Sequence, residues 1–105
     1  MQRGDIYELR LPRTTGREQQ GRRFGVVVQA DAFLPRSVVL VAPTSQSARP
    51  ASFRPELVIQ EETTRVLVEQ IGAVEVNRLG DHVGIVRPEE MWGIDESLIT
   101  VLGLR

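Results

Sequence analysis

Arg22 and Arg23 close a polar, glycine-bounded loop, Gly16-Arg-Glu-Gln-Gln-Gly-Arg-Arg23, and the chain then runs straight into Phe24-Gly-Val-Val-Val-Gln29. A guanidinium at the entrance of a rigid strand holds an anion in a fixed place, whereas one on a free tail only attracts it. A second polar segment, Pro43-Thr44-Ser45-Gln46-Ser47, follows the apolar run Val38-Val39-Leu40-Val41. Its three hydroxyls and one amide are short-range donors that fix orientation, while arginine supplies charge. Taken singly, each segment reads as a charged surface loop or a Ser/Thr turn satisfying its own backbone. Taken together they read as two halves of one anion site, and a phosphate suits the bidentate fork of arginine.

The elements that must hold these residues are mostly strands. Asp5 to Leu11 alternates around Tyr7, Leu9 and Leu11, and a first long loop spans residues 12–23. Phe24–Ala30 is nearly continuous in valine, which predicts a strand buried on both faces. Ser37–Ala42 is the third strand, and Pro43–Arg54 the second long loop. Glu56–Gln60 and Arg65–Gln70 follow, separated by the turn-like Glu61-Glu62-Thr63-Thr64. Residues 71–76 continue after a bend at Gly72, and His82–Val86 makes a last short strand. Closely spaced short strands predict a small β-barrel. The period then changes. Pro88 opens a helix with Glu89 and Glu90 at its positive end; Met91, Ile94 and Leu98 recur at helical spacing, and Gly103 stops it. The helix is expected to lid the barrel, with Trp92 packed against it. Two loops of about a dozen residues in a small domain point to function.

A chain of 105 residues makes one domain with a real core. Without cysteine there is no disulfide or thiolate metal site, and His82 is the single histidine, so no metal or cofactor is expected. His82 lies outside the polar segments and reads as structural or exposed. No apolar run nears the roughly 20 residues of a membrane span, and the N-terminus lacks a signal-peptide core, which predicts a soluble, cytoplasmic protein. The net charge of −1 conceals an asymmetry. Residues 1–55 hold nine arginines against four acids; residues 56–105 hold four against ten. Lysine is absent, which high genomic GC content explains in large part, yet a basic half made only of arginine suits phosphate contacts.

Arg3-Gly4-Asp5-Ile6-Tyr7, the loop ending at Arg23, Ala42-Pro-Thr-Ser-Gln-Ser47 and Val68-Glu69-Gln70-Ile71 occur in that order along the chain. The ordered set resembles the MazF/PemK toxins, the endoribonucleases of toxin–antitoxin systems, over essentially the whole chain. The resemblance implies an SH3-like barrel of six or seven strands with a C-terminal helix. It implies Arg23 and Thr44 as catalytic residues, with Glu18 and Gln19 organising the site. Gln46, Glu69 and Gln70 take supporting or RNA-contacting positions, and Arg22, Ser45 and Ser47 adjoin them. Phe24 departs from the family, which usually has proline after the arginine. Proline would fix the backbone there, so either Arg22 or Arg23 is left to face the phosphate.

The implied reaction is metal-independent cleavage of single-stranded RNA, with the neighbouring 2′-hydroxyl as nucleophile, leaving a 2′,3′-cyclic phosphate and a 5′-hydroxyl. Arg23 would neutralise developing charge and Thr44 would hydrogen-bond the same oxygens. The general base stays open, Glu18 being one candidate. Implied partners are a second copy of the chain and a cognate antitoxin whose acidic segment competes for the arginines. Two alternatives remain. One is a gyrase-binding toxin of the CcdB type, which ends in Trp-Gly-Ile; here Trp92-Gly93-Ile94 is followed by 11 more residues. The other is a catalytically weak family member that only binds RNA or antitoxin.

Overall fold

The computed structural model describes residues 1–10 and 23–105. Glu18, Gln19, Arg22 and most of the first long loop therefore lie outside the described residues. Seven strands run in the order β1 (Asp5–Leu9), β2 (Phe24–Val27), β3 (Val38–Ser45), β4 (Glu56–Ile59), β5 (Glu62–Val66), β6 (Gly72–Glu75) and β7 (Leu79–Ile85), before a helix α1 (Pro88–Leu102). All pairings are antiparallel. Across the sheet the order is β4-β5-β3-β2-β1-β7, with β6 also on β3.

The eight residues of β3 organise this curled sheet. Its first half lies between β2 and β6, with Val41 opposite both Val27 and Gly72. Its last two residues, Thr44 and Ser45, pair with Val66 and Arg65 of β5 instead. Pro43 stands at the changeover, where the missing N–H costs nothing in the new pairing, and its carbonyl accepts the Leu67 N–H at 2.8 Å. The strand thus extends three residues beyond the predicted Ser37–Ala42. Polar residue types suggested a loop there, but cross-strand partners settle the backbone.

A second boundary also moves. The turn between β4 and β5 is only Gln60-Glu61, both at positive φ (51° and 68°), joining Ile59 to its partner Glu62. Glu62, Thr63 and Thr64 therefore begin β5, which ends at Val66, four residues before the predicted end. A two-residue turn of this twist normally carries Asn or Gly, and neither occurs here to mark it. Val68–Gln70 forms a single 3-10 turn.

β2 is buried along its whole length, as its valine run predicts. One sheet face meets α1 in the main core, built round Phe24, Val26, Ala42, Val66 and Ile94. The helix begins at Pro88, and the Glu90 carboxylate accepts the Arg87 backbone N–H at 3.0 Å. It ends as predicted at Gly103, which takes the left-handed conformation that suits glycine (φ 68°). Ile94 is fully buried, and Met91 and Leu98 pack beside the core. Trp92 is the exception to the expected lid: it is 70% exposed. Two positions from Ile94 on a helix is about 200° round the axis, which turns Trp92 away from the core that Ile94 fills. Among the described residues, no helix is long and apolar enough to cross a membrane.

Candidate active site

Arg23 and Thr44 come together where β2 begins beside the end of β3. Gly25 pairs with Pro43, so the residues flanking that pair are neighbours across the ladder. The Arg23 Nε donates to the Thr44 carbonyl at 3.0 Å, and the Arg23 carbonyl accepts the Leu9 N–H at 3.0 Å. Both ends of the arginine are thereby tied to neighbouring strands. Burial pulls the guanidinium below its ordinary pKa. A cation stripped of part of its water gains more from an anion than an exposed one does.

Thr44 faces the other way. Alternation puts it on the core side of β3 with Ala42, and it is only 1% exposed. Its hydroxyl oxygen accepts the Phe24 N–H at 3.3 Å. That leaves the hydroxyl proton as the one donor Thr44 can still offer. Thr44 therefore serves Arg23 in two ways, through its carbonyl directly and through its hold on the next residue. It also lies within a strand, not at the head of a loop. Phe24, the residue in place of proline, is itself in the core and supplies this N–H, which proline could not.

The remaining sequence candidates separate into groups. Ser45 and Ser47 sit together, their hydroxyls 3.3 Å apart, and Gln46 is exposed beside them. Glu69 is held in an ion pair: one of its oxygens accepts from Arg54 Nε at 2.9 Å and Nη2 at 2.6 Å. Its other oxygen is buried with no hydrogen-bond partner among the described residues. Arg54 also donates to the Arg49 carbonyl, so this pair fastens the loop after Ser47 onto the 3-10 turn of Val68–Gln70. Gln70 points elsewhere, into the rim of a cavity lined also by Pro43. Glu69 thus braces that loop against the turn, and no local pattern points to its partner, 15 positions away.

His82 is both structural and half-exposed. Its Nε2 lies 3.1 Å from Oδ1 of the buried Asp5, and its ring meets Tyr7 edge-on with centroids 5.2 Å apart. Asp5 uses its second oxygen to accept the Gln2 N–H at 2.8 Å, pinning the N-terminus to β7. Among the described residues, no three His, Asp or Glu side chains converge as a metal centre would require. Arg10, Glu75 and Arg78 line the same cavity as Gln70. Sequence reasoning passed over all three, because the pairing of β7 with β1 brings Arg78 beside Arg10 and that of β6 with β3 brings Glu75 to the same cavity.

A family profile described as PemK-like, MazF-like toxin of type II toxin–antitoxin system matches residues 2–102. In sequence, the chain is 39% identical over 104 residues to a toxin candidate of Mycobacterium tuberculosis, a match covering 97% of each protein. In structure it is similar to the Mycobacterium tuberculosis toxin MazF-mt6, with a TM-score of 0.80 at 15% identity over 96% of this chain and 98% of that one. It is likewise similar to a chain of the MazE–MazF complex of Deinococcus radiodurans, with a TM-score of 0.80 at 18% identity over 100% and 97%. A third neighbour is an endoribonuclease in complex with its cognate antitoxin from a mycobacterial species (TM-score 0.76, 23% identity, 100% and 97%). At these identities the structural likeness speaks for the fold.

Proposed function

The chain belongs to the PemK-like, MazF-like toxins of type II toxin–antitoxin systems, and from that premise we propose that it is a sequence-specific, metal-independent endoribonuclease of single-stranded RNA. The observation that carries the reading is the part-buried Arg23, held by the Thr44 carbonyl at 3.0 Å where β2 begins.

RNA brings its own nucleophile. The 2′-hydroxyl attacks the adjacent phosphorus, the bond from phosphorus to the 5′-oxygen breaks, and the products are a 2′,3′-cyclic phosphate and a 5′-hydroxyl. The proton leaving the 2′-oxygen passes to a base, and one proton is delivered to the departing 5′-oxygen. With the nucleophile supplied by the substrate, the protein's share is positioning and charge stabilisation. Arg23 opposes the charge that grows on the phosphoryl oxygens. Its lowered pKa makes it a readier donor to the leaving oxygen and still leaves it a poor base. Glu18 stands as the candidate base, and Gln19 and Arg22 are the supporting residues that the same stretch of sequence offers. Thr44 fixes Arg23; its hydroxyl reaches a phosphate only when the atoms over it move.

The similarity of the fold to toxins solved with antitoxins supports an antitoxin as the natural inhibitor, and homodimerisation in the cytoplasm completes the reading. The whole chain acts as one domain. The CcdB-like alternative loses its terminal motif, because Ile94 of Trp92-Gly93-Ile94 is fully buried within α1.

The decisive experiment incubates the protein with RNA in EDTA, beside the same RNA carrying a 2′-deoxy residue at the cut. Arg23→Ala, Thr44→Ala and Thr44→Val are compared. Cleavage in EDTA that vanishes with the 2′-deoxy substrate and with Arg23→Ala is the expected result. Cleavage that survives the 2′-deoxy substitution, or requires a divalent ion, overturns the mechanism. Full activity in Arg23→Ala transfers its role to Arg22. Gyrase inhibition without RNA cleavage returns the case to the CcdB-like reading.

A further inference from the structure

Each nitrogen of the Arg54 guanidinium donates inside the protein. Nε and Nη2 donate to one oxygen of Glu69 at 2.9 and 2.6 Å, and Nη1 donates to the Arg49 carbonyl at 3.0 Å. The guanidinium also lies 5.6 Å from the centre of the Phe53 ring. The two ionic side chains are 23% and 24% exposed, so water and salt screen this pair less than a surface one. The second oxygen of Glu69 is buried with no hydrogen-bond partner among the described residues. Without Arg54 the carboxylate would be stranded.

The pair closes a circuit of chain beside Arg23 and Thr44. The Leu67 N–H donates to the Pro43 carbonyl at 2.8 Å, which ties the start of the 3-10 turn to β3 one residue before Thr44. Thr44 and Ser45 are held by their ladder with Val66 and Arg65. Past them the chain leaves the sheet, and Gln46, Ser47 and Arg49 are exposed. The Arg49 side chain makes no hydrogen bond or ion pair with the described residues. Arg54 then returns the loop to the same turn at Glu69, gripping the Arg49 backbone on the way. It thus fixes the path of a loop whose outward side chains stay free.

We infer that Arg54 is a positioning residue for RNA binding, holding this loop so that Gln46, Ser47 and Arg49 meet the strand already in place. The inference rests on the ribonuclease reading for the identity of the ligand. A loop fixed beforehand does not have to be ordered by the ligand, and that raises affinity. Arg23 and Thr44 sit on strands held by their own ladders, so the chemical step of bound RNA does not depend on the loop. Lysine at position 54 would keep the charge but lose the planar fork that serves a carboxylate and a carbonyl together.

The test compares wild type with Arg54→Lys, Arg54→Met and the double variant Arg54→Met/Glu69→Gln. Amide relaxation reads the order of residues 46–53, and anisotropy with a labelled RNA carrying a 2′-deoxy residue at the cut reads affinity. Single-turnover cleavage of the all-ribose RNA at saturating protein reads the chemical step. In Arg54→Met the loop order parameters are expected to fall from about 0.85 to below about 0.6. Affinity weakens on the order of tenfold while the saturating rate stays at the wild-type value. Arg54→Lys falls between. The double variant removes the stranded charge, so it resists urea better than Arg54→Met, yet its loop stays free and its affinity low. It also stands in for Arg54→Met should that variant fail to fold. Affinity recovering together with stability in the double variant overturns the inference, because Arg54 would then matter to folding alone. Unchanged affinity with a mobile loop overturns it, and so does a loop that stays ordered without Arg54. A wild type that binds RNA but cuts none sinks the ribonuclease reading, and the affinities still decide the role of Arg54.

Discussion

At Arg23 the environment turns a common surface residue into a fixed charge. Its Nε is committed to the Thr44 carbonyl, and burial has already removed part of its water. Arg23→Ala is expected to lower kcat by about 10²–10³-fold, the loss seen when one donor to a developing oxyanion is removed. Arg23→Lys restores the charge without the planar fork, so it recovers only part of that loss. Single-turnover cleavage with a fixed RNA measures both. Tyr7 gives a second residue-scale test, because it is the one tyrosine in the chain. Burial, and then the Asp5 carboxylate, raise its pKa above the ordinary 10.0. The raised value means the folded state holds the phenol proton more tightly. That contribution is intact below pH 10 and is lost as pH climbs through the folded-state pKa. Absorbance titration should show phenolate appearing later in folded protein than in urea, and coincident curves would refute the shift.

Among the elements, β2 depends on a residue without a side chain. Gly25→Ala forces a methyl to 2.4 Å from Val41 Cγ1, on a branched side chain that is 2% exposed. Overpacking of this kind costs about 1–3 kcal/mol, and Gly25→Ala should lower the urea midpoint accordingly. Adding Val41→Ala should recover stability relative to Gly25→Ala alone. On α1 the contrast lies between neighbours. Ile94→Ala empties a fully buried position and costs about 2–5 kcal/mol. Trp92→Ala stays within about 0.5 kcal/mol, as exposed positions do. Equal losses from the two would mean that Trp92 packs after all. These elements also mark how far the sequence was legible. The valine run of β2 and the helical spacing of α1 state their burial directly. The end of β3 and the Gln60-Glu61 turn do not, since their residue types suit a loop and a strand equally.

For the whole molecule, the proposed function makes the division of charge govern encounter with RNA. The basic half contains Arg23 and Arg10, while the acidic half supplies Glu75 and all of α1. RNA binding should weaken linearly in log–log form as salt rises, with a slope of about −0.7 for each phosphate neutralised on a single strand. Arg78→Met should make that slope shallower by about one such unit if Arg78 meets a phosphate. If it meets only a base edge, the slope stays unchanged while affinity drops. Fluorescence anisotropy with a labelled, 2′-deoxy RNA across a salt series separates the two.

Composition, period and ordered motifs were enough to determine a mainly β chain closed by a C-terminal helix, its family, and Arg23 and Thr44 as the residues to watch. These are local properties, carried by residue types a few positions apart. The tertiary structure decided that Thr44 offers Arg23 its carbonyl while its hydroxyl serves Phe24. It decided that Glu69 belongs to Arg54, and that Arg10, Glu75 and Arg78 share one cavity. Such facts depend on which strands lie side by side. Strand pairing joins residues tens of positions apart through backbone hydrogen bonds that are alike for every residue type, so no local pattern announces them.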